Sequence, residues 1–257
     1  MKIALLQTDI VWEDRQANLQ YCMDRINTLP DDVQLVMLPE MFSTGFSMQP
    51  EKLAETEEGA TLEWLRETAV RKAVAIAGSV IAEERRKYFN RLFFVFPDGS
   101  YKKYDKRHLF SMSEEPQRYT AGVQRLVVEY GGWRICPLIC YDLRFPVWSR
   151  NCGSVYDLLL YVANWPAARI NAWDALLPAR AIENHCYVAG VNRCGQDGAG
   201  IAHNGHSQVI DYKGTVIAAA GNDEETLIAT LSLEKLNSFR AKFPVGKDAD
   251  AFILKDR

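Results

Sequence analysis

Short apolar runs rich in Val, Ile, Leu and aromatic residues recur along this chain, and they constrain its fold more than any other feature. Runs of this length, bounded by Gly, Asn or Asp, read as buried strands. Lys2–Asp9 and Gln34–Pro39 are of this kind. Between and after them come helical patterns: Arg15–Leu29, with Leu19, Cys22, Met23 and Ile26 at helical spacing, and Leu62–Ala73, with Leu62, Leu65, Ala69 and Ala73 on one face. The middle of the chain is strand-like over Val74–Glu83, Tyr88–Phe96 and Tyr101–Tyr104, and Asp98-Gly99 is a hairpin signal between the last two. Leu126–Tyr130 and Trp133–Ile139 flank a second such signal, Gly131-Gly132. Helical patterns return at Phe145–Asn151 and Ala172–Asn184, with a strand at Asp157–Ala163 between them. Tyr187–Asn192, Ser207–Asp211, Thr215–Ala219 and Leu227–Leu231 complete the strands, with a turn at Lys213-Gly214. Glu234–Arg240 reads as helix and the tail after Phe243 as irregular.

Strands outnumber helices, so two sheets with helices outside them fit the pattern better than a single parallel sheet. No linker, repeat or low-complexity block interrupts it. The expectation is one α/β domain over residues 1–257, large enough for a substantial core. A GxGxxG element after the first strand is missing, which argues against a dinucleotide fold.

The net charge of −3 gives no reason to expect nucleic acid or an anionic membrane as partner. The apolar stretch after Met1-Lys2 is too short for a signal segment or a membrane span, so the cytoplasm is the expected compartment. Six cysteines, at 22, 136, 140, 152, 186 and 194, need not pair in a chain of this size without a secretion signal. Most should be small buried hydrophobes. With four histidines, none at ligand spacing beside a cysteine, no metal site is expected. The charged run Glu83–Lys87 is mixed in sign beside a turn and reads as solvated surface. The run Lys102–Arg107 has more to say.

Cys140 closes the apolar strand Trp133–Ile139 and precedes Tyr-Asp-Leu-Arg-Phe-Pro, where a helix is expected. A nucleophile at such a corner projects outward near the positive end of a helix dipole, which favours thiolate. A structural buried cysteine is the competing reading. Glu40, in Leu38-Pro39-Glu40, ends a buried strand, where an unpaired charge is costly; it is otherwise a capping or surface acid. Lys106 stands among aromatic and apolar neighbours in Tyr104–Phe110, although an isolated lysine is usually solvated. Together the three make a working set. Glu40 takes the thiol proton and returns it to the departing amine. Cys140 attacks a carbonyl and forms a thioester. Lys106 and a backbone N–H near Tyr141 hold the negative oxygen of the tetrahedral intermediate.

Leu-Pro-Glu40, Lys106-Arg-His-Leu-Phe and Cys140-Tyr-Asp-Leu-Arg-Phe-Pro, in this order and at these separations, resemble the three signatures of the nitrilase superfamily of carbon–nitrogen hydrolases. Asn164-Trp165-Pro166 and Ala179–Asn184 fit downstream, so the resemblance spans essentially the whole chain. It implies a four-layer αββα sandwich, no metal or organic cofactor, and a homodimer. It also implies a second catalytic glutamate after the lysine motif. Glu114 and Glu115 compete for that place, and counting back from Ala121-Gly122 favours Glu115, whose task would be to hold Lys106 and the substrate amide.

Glu40–Phe46 and Asn164–Arg169 further resemble the omega-amidase branch. This implies hydrolysis of the terminal amide of 2-oxoglutaramate or 2-oxosuccinamate to the 2-oxo diacid and ammonia, beside a glutamine transaminase, for example in methionine recycling. Such a substrate needs a cation for its carboxylate. Arg169 is the expected one, because an arginine fork matches two carboxylate oxygens; Arg144 is expected to pair with Asp142 as scaffold. Phe42, Tyr141 and Trp165 would form apolar walls, and Asn164 would also contact substrate. Alternatives are an N-carbamoyl amino acid amidohydrolase or a nitrilase with the same catalytic set, a papain-like dyad of Cys140 with His108, and a binding protein that has lost the chemistry.

Overall fold

The computed structural model describes residues 1–254. In chain order it contains β1 (Lys2–Gln7), α1 (Arg15–Asn27), β2 (Leu35–Met37), α2 (Pro50–Leu53), α3 (Ala60–Lys72), β3 (Ala75–Glu84), β4 (Lys87–Val95), β5 (Tyr101–Asp105) and α4 (Glu115–Arg118). The second half continues with β6 (Val128–Tyr130), β7 (Trp133–Ile139), α5 (Pro146–Ser149), β8 (Leu158–Ala163), α6 (Ile170–Asn184) and β9 (Tyr187–Asn192). A small ribbon of β10 (Cys194–Gln196) and β11 (Ala202–Asn204) precedes β12 (Gln208–Ile210), β13 (Val216–Ala219), β14 (Glu225–Thr230) and α7 (Leu233–Lys242). After Phe243 one short 3₁₀ turn, Val245–Asp248, interrupts the expected irregular tail, and residues 255–257 of that tail lie outside the described residues.

Two six-stranded sheets result, ordered β14-β1-β2-β3-β4-β5 and β13-β12-β9-β8-β7-β6. Each has parallel strands at its centre, β1, β2 and β3 in the first and β7, β8 and β9 in the second, with antiparallel neighbours outside. The alternation of side chains along a strand then sorts the layers. Ile3, Leu5 and Met37 point inward and share a core with Ile135 and Leu160 of the other sheet. Ala4, Leu6 and Val36 point outward, against Cys22 and Ile26 of α1 and Leu65 and Ala69 of α3. On the far side α6 lies so close to β9 that a Cβ at Gly190 would come within 2.8 Å of Trp173 and Leu177. The architecture is the expected αββα sandwich. Arg85 and Arg86, both exposed and at positive φ, make the tight turn between β3 and β4, so that charged run is indeed solvated surface.

Topology also places the chemistry. β5 runs in the same direction as β3, because β4 is antiparallel to both. The segments leaving β2, β5, β7 and β8 therefore carry Glu40, Lys106, Cys140 and Asn164 to one end of the sandwich, the carboxyl edge where α/β folds build sites. Among the described residues no helix is long and apolar enough to cross a membrane.

Candidate active site

Glu40, Lys106 and Glu115 are buried to 1 % exposure or less and meet in one cluster. The Lys106 ammonium donates to Glu40 Oε1 at 2.9 Å and to both Glu115 oxygens at 2.9 and 3.0 Å. Glu40 Oε1 also accepts from Asn90 Nδ2 at 2.7 Å, and Oε2 accepts from the Asn164 amide at 2.9 Å. Glu115 accepts a further hydrogen bond from the Phe110 amide. Glu114 instead reaches outward and pairs with Arg118 at the surface. Of the two acids, Glu115 is the one that reaches Lys106.

A buried pair of carboxylates around one ammonium is kept only where each charge is matched and hydrogen-bonded. Burial opposes the charge on Lys106, but Glu115 and Glu40 outweigh it and hold its pKa above the ordinary value. Burial, with the Glu40 charge adding to it, raises Glu115 against the pull of Lys106. The lysine stays charged.

Cys140 sits where β7 ends, at φ +41°, a left-handed conformation that is costly for a side-chain-bearing residue and tends to occur at functional corners. Its thiol faces the same cleft as the Glu40 carboxylate, close enough for that charge to act on it. Here the sequence expectation needs correction. In place of a helix over Phe145–Asn151 the chain makes a 3₁₀ turn over Cys140–Arg144 and then the single-turn α5, so no long helix dipole faces the sulfur. Burial, followed by the adjacent Glu40 charge, pushes the thiol well above its ordinary pKa, and Lys106 pulls the other way. Both burial and the Glu40 charge favour the protonated thiol.

Asp142 ties the cysteine corner to the lysine segment. Fully buried, it accepts from the Ile139 amide (3.1 Å), the Tyr104 hydroxyl (2.7 Å), the His108 amide (3.0 Å) and His108 Nδ1 (2.8 Å). It makes no pair with Arg144, contrary to expectation. The bonds engage His108 through Nδ1, its ring also stacks on Phe145 at 3.8 Å, and it is not among the residues that line the cleft at Cys140. Gly122 donates to the Lys106 carbonyl at 2.9 Å and lies so near Asp105 that a Cβ would fall 2.1 Å from its carbonyl oxygen. Any larger residue there would displace the lysine.

The cluster opens into a cleft of about 640 Å³. Tyr141, Asn164, Trp165 and Arg169 line it, as the sequence suggested. Phe42 does not: it is 1 % exposed and packs in the outer core against Trp64, because the left-handed turn at Met41 carries the chain back under the sheet. Phe46 takes that place, with Lys106 Nζ 5.0 Å from its ring centroid. Arg144 also lines the cleft, its guanidinium 4.8 Å from the Trp165 ring, and Arg169 rests 5.1 Å from Phe110. Neither arginine has an acidic partner among the described residues. Of the other cysteines, Cys22, Cys136, Cys186 and Cys194 are buried, whereas Cys152 is exposed.

Sequence reading passed over Asn90, and it took Asp142 and Arg144 only for a scaffold pair. Asn90 left one signal, a polar side chain inside the apolar run Tyr88–Phe96.

A buried thiol, an adjacent carboxylate and a carboxylate-held ammonium at the mouth of a cleft are the parts of an acyl-transfer hydrolase. The sequence model of the carbon–nitrogen hydrolase family matches residues 2–241, and the chain belongs to that family. It is similar to the omega-amidase YafV of Escherichia coli K12, with 47 % identity over 255 residues covering 99 % of this chain and 98 % of that protein. It is also similar to the 2-oxoglutaramate amidase of Bacillus subtilis, 33 % identical over 96 % of both chains. Among solved structures, XC1258 of Xanthomonas campestris, a CN-hydrolase superfamily protein with an arsenic adduct in its active site, superposes with a TM-score of 0.97 at 44 % identity over 99 % of both chains.

Proposed function

We propose that this chain is an amidase that hydrolyses the terminal carboxamide of 2-oxo dicarboxylic acid monoamides, 2-oxoglutaramate and 2-oxosuccinamate, to the 2-oxo diacid and ammonia. The observation that carries this reading is the joining, in one cleft, of the Cys140–Glu40–Lys106–Glu115 cluster with two arginines that have no acidic partner among the described residues. The names of the relatives, an omega-amidase and a 2-oxoglutaramate amidase, point the same way.

In this mechanism Arg169 and Arg144 take the carboxylate end of the substrate, and Tyr141, Trp165 and Asn164 line its path. Glu40 accepts the thiol proton as sulfur attacks the amide carbon, and the oxyanion forms against the Lys106 ammonium and the Tyr141 N–H. Glu40 passes the proton to nitrogen, the C–N bond breaks, and ammonia leaves a thioester on Cys140. Water then attacks the thioester, Glu40 takes its proton and gives it to the departing sulfur, and the acid is released. Glu115 holds Lys106 against rotation throughout. We place this enzyme in the cytoplasm, as a single-domain protomer of a homodimer with no nucleic-acid or membrane partner.

The test is ammonia release from 2-oxoglutaramate, 2-oxosuccinamate, N-carbamoyl-β-alanine and an aliphatic nitrile. Turnover of the first two is expected. Failure on both, with turnover of the carbamoyl compound or the nitrile, would move the protein to a sister activity.

A further inference from the structure

We propose that Asn90 is a positioning residue of this site, fixing the two carboxylates that flank Lys106. The proposal rests on the catalytic reading above. Asn90 lies in β4, opposite Ile81 of β3, and is fully buried. Its Nδ2 donates to Glu40 Oε1 at 2.7 Å and reaches Glu115 Oε1 at 3.4 Å, while its backbone carbonyl accepts from the Lys106 amide at 2.9 Å. One residue thus touches three of the four members of the cluster.

The other end of the side chain strengthens the case. Asn90 Oδ1 is buried and has no hydrogen-bond donor among the described residues. Turning the amide over would aim that oxygen at two carboxylates, so the donor end must face them. An unmet buried acceptor is costly, and a strand position serving packing alone would carry an apolar residue, as neighbouring Leu92 and Phe94 do. With Oε2 of Glu40 held by the Asn164 amide and Oε1 by Asn90 and Lys106, the carboxylate cannot rotate away from the thiol. The titratable groups acting on Glu40 are Lys106, Glu115 and Cys140, with Tyr119 and His203 farther out.

Removing a donor to the ionised carboxylate disfavours its ionisation, so the pH at which the site becomes active must rise. Asn90→Ala, with Asn90→Ser as a second variant should the first fold poorly, is compared with wild type and Glu40→Gln. The measurements are kcat and KM against pH, the pH profile of iodoacetamide alkylation at Cys140, and Tm. We expect kcat to fall about tenfold or more with KM little changed. The acid limbs of turnover and of alkylation should both move to higher pH by about one unit, which is a tenfold change in proton affinity. Unmoved limbs, or a loss confined to Tm, would overturn the assignment. Alkylation needs no substrate, so a wrong choice of amide leaves this readout intact. A Glu40→Gln enzyme with full turnover would overturn the catalytic reading itself, and the role of Asn90 with it.

Discussion

Replacing Glu40 by glutamine tests the site most sharply, because the two readouts at Cys140 should move apart. In the native site Glu40 does two opposed things to the thiol. In the proposed mechanism it accepts the proton when sulfur attacks, and its charge, second only to burial, favours the protonated thiol, while Lys106 favours the thiolate. Glutamine removes both effects. Loss of a positioned general base should cost roughly 10²- to 10⁴-fold in kcat, about 3–5 kcal/mol of barrier. Yet Lys106 now faces the sulfur with one counter-charge fewer, so thiolate forms more readily as pH rises. Iodoacetamide alkylation of Cys140 at alkaline pH should therefore persist or quicken while ammonia release collapses. The assay is best run in a Cys152→Ser background, because Cys152 is exposed and would label independently. If alkylation and turnover fall in parallel, Glu40 acts only as a structural anchor. If turnover survives, it is not the base.

Arg144→Ala and Arg169→Ala should each lower kcat/KM for 2-oxosuccinamate about 10- to 100-fold, the worth of a charged hydrogen bond, mostly through KM. The Arg144 effect should be larger, since Arg144 is half-buried and Arg169 exposed; an equal loss with a neutral aliphatic amide would dismiss both as carboxylate anchors. Asp142→Asn leaves one oxygen where two had accepted four hydrogen bonds, so thermal melts should show about 2–5 kcal/mol of lost stability and kinetics a fall mainly in kcat. An unchanged Tm would refute that account. His203, lining the cleft and 6 % exposed, is pushed by burial and then by Arg193 from 6.5 to about 4. The unfolded chain binds this proton first, so stability should decline as pH falls from 6.5 towards 4, by roughly 3 kcal/mol in total. In His203→Gln, denaturant unfolding across that range should show a shallower decline, and an unaltered slope would count against it.

Much of this protein was legible before any coordinates. Runs such as Leu35–Met37 and Leu158–Ala163 are apolar on both faces, which only a covered central strand tolerates, so two sheets with helices outside them followed from the pattern, and the four-layer order from the family resemblance. Glu40 and Cys140 stood out because each is a reactive type attached to the end of such a run, and Lys106 because aromatic and apolar residues flank it. Local sequence failed where a side chain's fate depends on which way the chain turns next. Phe42 and Phe46 are four residues apart on the same segment, and the left-handed turn at Met41 puts one in the core and the other in the cleft. Asp142 looked like a partner for Arg144, two residues along, but the sandwich brings Tyr104 and His108 to it from another strand end, leaving Arg144 free for the cleft. The acidity of Cys140 was likewise undecided by its neighbours in sequence, since burial and a charge from the opposite sheet set it. The chain's own pattern fixed which residues are apolar, reactive or turn-forming, because those are properties of side chains and their spacing. Only the closing of two sheets on each other decided which charges share a dry space, because Coulomb energy depends on distance and dielectric, and neither is written along a strand.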